Sequence, residues 1–141
     1  MRVYLLISSL LLGAVLALPS VPVVAQQKKE HGHSDHKHSH PTPQHGGVLE
    51  DVGEYHVELL VEGGKIILHV RDHDAQEAQT EGMKASVLFT SGSQRVGPVE
   101  VKPAGGSKME ASVAAVPAGA TAILTLTDKD GTAAQGRFRL K

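Results

Sequence analysis

Two eight-residue runs flank Gly63-Gly64, and their pairing leaves this chain little choice of local fold. Tyr55-His-Val-Glu-Leu-Leu-Val-Glu62 and Lys65-Ile-Ile-Leu-His-Val-Arg-Asp72 are joined by a two-residue loop suited to a primed turn. Pairing Glu62 with Lys65 sets the register. Val61 then meets Ile66, Leu59 meets Leu68 and Val57 meets Val70, which makes one wholly apolar face. The other face pairs Leu60 with Ile67, Glu58 with His69 and His56 with Arg71. A slip of one residue would mix the two sets, so burial of one face enforces the pairing.

The period of two continues downstream. Met83, Ala85, Val87 and Phe89 alternate with polar residues over 83–90, and a further strand is expected at 96–102, where Pro98 argues for an edge position. Strands are also expected at 107–115, 120–128 and 133–141, the last with Phe138 and Leu140 inward. Asp128-Lys-Asp-Gly131 suits the turn between the last two. The alanine-rich stretch 111–122 is no helix, since Pro117 and Gly119 interrupt it and threonines follow. About seven strands in roughly ninety residues predict an all-β fold, an immunoglobulin-like antiparallel sandwich rather than a closed barrel. With no cysteine and no tryptophan, its core must be built from aliphatic residues, methionine and two phenylalanines.

The 44 residues before this domain have a different character. Arg2, the apolar run Val3 to Leu18, and the small residues Val23 and Ala25 predict a signal peptide over 1–25, cleaved before Gln26. The apolar run falls short of the ~20 residues of a membrane span, and no membrane span is expected after cleavage. The destination is the periplasm or the exterior. Residues 26–44 contain no aliphatic or aromatic side chain, so a disordered tail is expected there, and the folded domain occupies 45–141.

Six of the nine histidines lie between His31 and His45. His31, His33, His36, His38 and His40 stand two or three apart, close enough for two imidazoles to share an ion. Neutral imidazole suits copper(II), nickel, zinc and cobalt, with copper(II) favoured where no geometry selects. A solubilising tail that binds metal incidentally is the plainer reading of the same residues. On the domain, His45 opens the fold, His56 and Glu58 share a strand face, and His69 sits across from Glu58. These four are candidate ligands of one divalent transition-metal ion. The bland alternative is a solvated face on which Glu58 pairs with His69 or Arg71. Asp72-His73-Asp74 is read as a turn.

Other classes are disfavoured. Fourteen basic against fifteen acidic residues provide no basic patch for nucleic acid. No nucleophile elbow, phosphate loop or H-E-x-x-H helix is present, so an enzyme is not expected.

His45-Gly-Gly-Val48, Tyr55-His-Val-Glu-Leu-Leu-Val61, Gly64-Lys-Ile-Ile-Leu-His-Val-Arg-Asp72 and Gly136-Arg-Phe-Arg-Leu140 together resemble a group of small exported bacterial β-domains. These show an HGG opening, an H-x-E or E-L-V strand, a second strand with Y-x-x-D, and an R-F ending. Such domains occur alone as periplasmic heavy-metal-binding proteins, or at the N-terminal end of the periplasmic adaptor subunits of metal-efflux pumps. The resemblance covers about residues 45–141. It implies His45, His56 and Glu58 as ligand positions and a metal-efflux component as partner. His69 departs from the pattern, which more often has Tyr there. A second expectation is an envelope interaction module, docking for example on an efflux adaptor, with metal binding incidental.

Overall fold

The computed structural model describes residues 41–141, so the signal peptide expected over 1–25 and the histidines from His31 to His40 lie outside the described residues. Among the described residues there is no helix, and eight antiparallel strands form a single sheet. They are β1 (Val48–Val52), β2 (Tyr55–Glu62), β3 (Lys65–Arg71), β4 (Lys84–Ser91), β5 (Gln94–Gly105), β6 (Lys108–Ser112), β7 (Thr121–Thr127) and β8 (Ala133–Arg139). Their order across the sheet is β1-β2-β3-β6-β5-β4-β7-β8.

The hairpin register is the expected one, from Glu62 opposite Lys65 out to His56 opposite Arg71. Val57, Leu59, Ile66, Leu68 and Val70 are accordingly buried in one core with Phe89, Met109, Leu124 and Phe138. β7 shows the alternation most plainly: Ala122, Leu124 and Leu126 point inward, and the intervening residues are half-buried.

Three features depart from the sequence reading. β1 is an eighth strand, whose apolar-apolar-acidic-acidic-apolar sequence hides its alternation. It nonetheless pairs with β2 along its whole length. Second, Pro98 is not on an outer strand. Val87 pairs with Val99 and Phe89 with Val96, so Gly97 and Pro98 lie in a bulge of β5, where a residue lacking an N–H leaves no ladder position unfilled. Third, the sheet is continuous and nearly closed like a barrel. β5 is long enough to pair with β4 through its first part and with β6 through Lys102–Gly105, linking all eight strands. The outermost strands then meet. A Cβ on Gly136 of β8 would lie 2.5 Å from Val52 Cγ2, and one on Gly53 2.8 Å from Ala134 Cβ.

Two loops share one construction. In Asp72-His-Asp-Ala-Gln76, the Asp72 carboxylate accepts the N–H groups of Asp74 and Gln76. In Asp128-Lys-Asp-Gly-Thr132, Asp128 accepts those of Asp130 and Thr132. Backbone bonds from Asp72 to Gln76 and from Asp128 to Thr132 close each loop. The fourth position is left-handed in both, Ala75 at φ 61° and Gly131 at φ 89°. The turn reading of Asp72-His73-Asp74 therefore holds. Alanine is strained in that region where glycine is not. Ala75→Gly is expected to stabilise the domain by up to about 1 kcal/mol, relief of strain outweighing the added freedom of the unfolded chain. Urea denaturation measures this, and a loss of stability would contradict the loop assignment.

Candidate functional site

Strand alternation places the site. With Val57, Leu59 and Val61 turned toward the core, His56, Glu58 and Leu60 must project from the other face of β2, beside Arg71, His69 and Ile67 of β3. Such a face normally meets water. Here Glu58 is 0% exposed and Arg71 5% exposed, because the segment leading into β1 lies across them. Arg71 Nη2 donates to the Thr42 carbonyl at 3.2 Å.

Glu58 is the anchor of this segment. Its Oε1 accepts the backbone N–H of His45 (2.8 Å) and of Gly47 (2.9 Å). Its Oε2 accepts the N–H of Gln44 (2.9 Å) and faces His45 Nδ1 at 3.0 Å. Four donors thus occupy the two oxygens, which is what a carboxylate withdrawn from water requires. The two glycines make the wrap possible. Gly46 is left-handed at φ 83°, which turns successive N–H groups toward one point, and a Cβ on Gly47 would lie 2.6 Å from the Leu59 carbonyl. The His45-Gly46-Gly47 opening is therefore a backbone cradle for Glu58.

The electrostatics follow from this geometry. Burial pushes the Glu58 carboxyl up, but bonds from the Gln44 amide, the His45 ring, and the Gly47 and His45 amides outweigh it and bring it down to about 2. The His45 ring, 43% exposed, lies flat on His69, with centroids 3.6 Å apart and planes within 2°. Burial of His69, followed by the neighbouring His45, holds the His69 ring below the usual imidazole range, so it is neutral and keeps a lone pair at neutral pH.

His56 stands apart. Although two residues from Glu58 on the same face, its Nδ1 contacts Asp51 Oδ1 at 2.6 Å across the β1–β2 pair. His73, beside Asp74 at 3.3 Å, lines a separate hollow with Asp51, Glu54, Tyr55 and His56. The structure thus brings together His45, Glu58 and His69 but not His56. Among the described residues, no three His, Asp or Glu side chains are arranged to hold a metal ion as they stand. Sequence reasoning did not identify Glu58 as the buried anchor or Arg71 as its companion. The signal was present in His-Gly-Gly, two consecutive flexible residues ahead of a strand whose polar face carries a carboxylate.

Beside His45 an open cleft of about 580 Å³ runs between Gly47, Leu60, Val116, Pro117 and Leu140. No family model, curated protein or solved structure matches this chain.

Two consequences are measurable. Glu58 has a depressed folded value, so its contribution is present above about pH 4.5 and is lost as pH falls toward about 2, a loss on the order of 3 kcal/mol. His69, also depressed, adds an earlier loss that begins as pH falls through 6.5, where the unfolded ring takes its proton first. Denaturation midpoints between pH 8 and pH 2 should fall in these two windows, and a flat profile would contradict the buried-carboxylate assignment. Separately, Gly47→Ala is expected to force the segment off the Leu59 carbonyl, costing about 2 kcal/mol or more and freeing the amides of residues 44–47 to exchange with solvent. Undiminished hydrogen-exchange protection there would rule out the cradle.

Proposed function

We propose that this chain is an exported binder of divalent transition-metal ions (copper(II), nickel, zinc or cobalt) and has no catalytic activity. In this reading a signal peptide over residues 1–25 takes the chain to the periplasm or beyond, and His31, His33, His36, His38 and His40 capture ions loosely from dilute solution. The domain presents a second, more ordered binding point at His45 and His69. Its service is metal resistance or homeostasis, including delivery to an efflux system. The motif resemblance to exported HGG-type domains, including those of efflux adaptors, supports the same direction. An immunoglobulin-like sandwich, with β1-β2-β3-β6 facing β4-β7-β8 across the core, is the finer fold reading that accompanies it.

One observation carries the proposal for the domain. The His45 Nδ1 is engaged by a buried carboxylate beside the neutral ring of His69, an arrangement typical of metal-ligating histidine. Nitrogen donors without thiolate or thioether suit copper(II), nickel and zinc rather than copper(I).

The cleft beside His45, with Leu60, Val116 and Leu140 along its walls, favours a second reading, a docking module of the envelope. Recovery of the same partner with and without chelator would support that alternative.

Titration of copper(II), nickel and zinc into the processed chain tests the first reading. Several equivalents should bind to the wild type. Changing the five histidines from 31 to 40 to alanine should leave about one, and adding His45→Ala and His69→Ala should abolish it. Binding should also weaken below about pH 6, as ordinary imidazoles gain protons. Complete loss on changing the tail alone would remove the domain from the function, and indifference of the wild type to all three ions would end the proposal.

A further inference from the structure

We infer that Glu58 is a positioning residue for an ion-binding His45 and not itself a ligand, and that an ion taken by His45 and His69 together first parts their stacked rings. The inference rests on the metal-binding reading above and specifies how that site works.

A ligand needs a lone pair directed at open space. Glu58 has none: Oε1 is held by the His45 and Gly47 amides, Oε2 by the Gln44 amide and the His45 ring, and the side chain is fully buried. To ligate, it would have to shed these donors and release the segment that covers it. Its bond to His45 does something more specific. In a neutral imidazole one nitrogen carries the proton and the other the lone pair. A carboxylate accepting from Nδ1 keeps the proton there, so the lone pair is at Nε2, on the side of the ring away from Glu58. Lys108, paired with His69 across β3 and β6, is ion-paired with Glu110, which balances its charge beside the rings.

The stack sets the second condition. An imidazole lone pair lies in the plane of its ring. Two planes 2° from parallel with centroids 3.6 Å apart do not meet near the nitrogens, so no single ion can lie on both lone pairs. The rings must hinge apart for joint coordination. His45 can do this, since it stands on the covering segment next to left-handed Gly46 and pivots about its Nδ1 bond to Glu58. His69, on the middle of β3, is the fixed member. Without an ion, each ring covers a face of the other.

The test uses the full processed chain with the histidines from 31 to 40 changed to alanine, labelled with ¹⁵N and ¹³C, and zinc(II) as probe. Before zinc, His45 should show the Nδ1–H tautomer, and the ring protons of both histidines should be shifted upfield by mutual stacking. Zinc should move both sets of ring protons downfield together, with the Nε2 resonance of His45 taking the coordination shift. Glu58→Gln should weaken zinc binding about 10- to 100-fold and mix the His45 tautomers. Unchanged Val57 and Leu59 methyl shifts would report that its core is intact. If that variant does not fold, the tautomer and ring shifts of the wild-type Glu58 protein decide. Uptake of zinc with an Nε2–H tautomer in the free protein, with unmoved stacking shifts, or with undiminished affinity in a folded Glu58→Gln variant overturns this inference alone. Absence of zinc uptake in every arm removes the metal-binding reading of the domain together with it.

Discussion

The buried carboxylate of Glu58 holds the segment that crosses the outer face of β2 and β3. A charge withdrawn from water is tolerated only when its hydrogen-bonding capacity is filled, and here three backbone amides and one imidazole fill it. The described segment before β1, Pro41 to Gly47, has no large aliphatic side chain to hold it on the sheet. What holds it are these bonds, the Arg71 contact to the Thr42 carbonyl, and the stacking of His45 on His69. Loss of the carboxylate would therefore release the backbone and the His45 ring together.

The sheet contributes a rigid base for this arrangement. Glu58 and His69 are opposite one another only because the Gly63-Gly64 hairpin is in one register, and that register is enforced by the apolar face on the other side of the same strands. The core thus positions the site indirectly. Near-closure of the sheet, with Gly136 and Gly53 allowing β8 to approach β1, steadies the β1 edge against which His56 and Asp51 pair. This pairing explains why His56, which by spacing alone is as good a candidate as Glu58, belongs to a different neighbourhood.

How much of this was legible beforehand depended on whether the physics was local. The hairpin and its register could be read directly, as could the alternation of 120–128, because each is decided by neighbours in sequence and by one buried face. β1 was not legible, because Leu49 and Asp51 face outward while Glu50 lies at an exposed edge, which breaks the period of two. Pro98 suggested an edge, and a bulge satisfied the same constraint in the middle of the sheet order. At the site, the juxtaposition of Glu58 with His69 followed from counting along the hairpin. The cradle did not, because whether a carboxylate is a ligand, an exposed charge or an anchor depends on what folds over it, and hydrogen bonds spanning 11 to 14 residues leave no periodic trace.

In the proposed function, the histidines from His31 to His40 precede a domain whose first histidine, His45, is held by a buried acid. A structure of the processed protein soaked or grown with zinc distinguishes Glu58 as an anchor from Glu58 as a ligand. The ion is expected on nitrogen donors at about 2.0–2.1 Å, His45 Nε2 and His69 among them, with Glu58 still bonded to the amides of residues 44, 45 and 47. An ion seated on the Glu58 oxygens, or none on the domain at saturating zinc, would contradict that assignment.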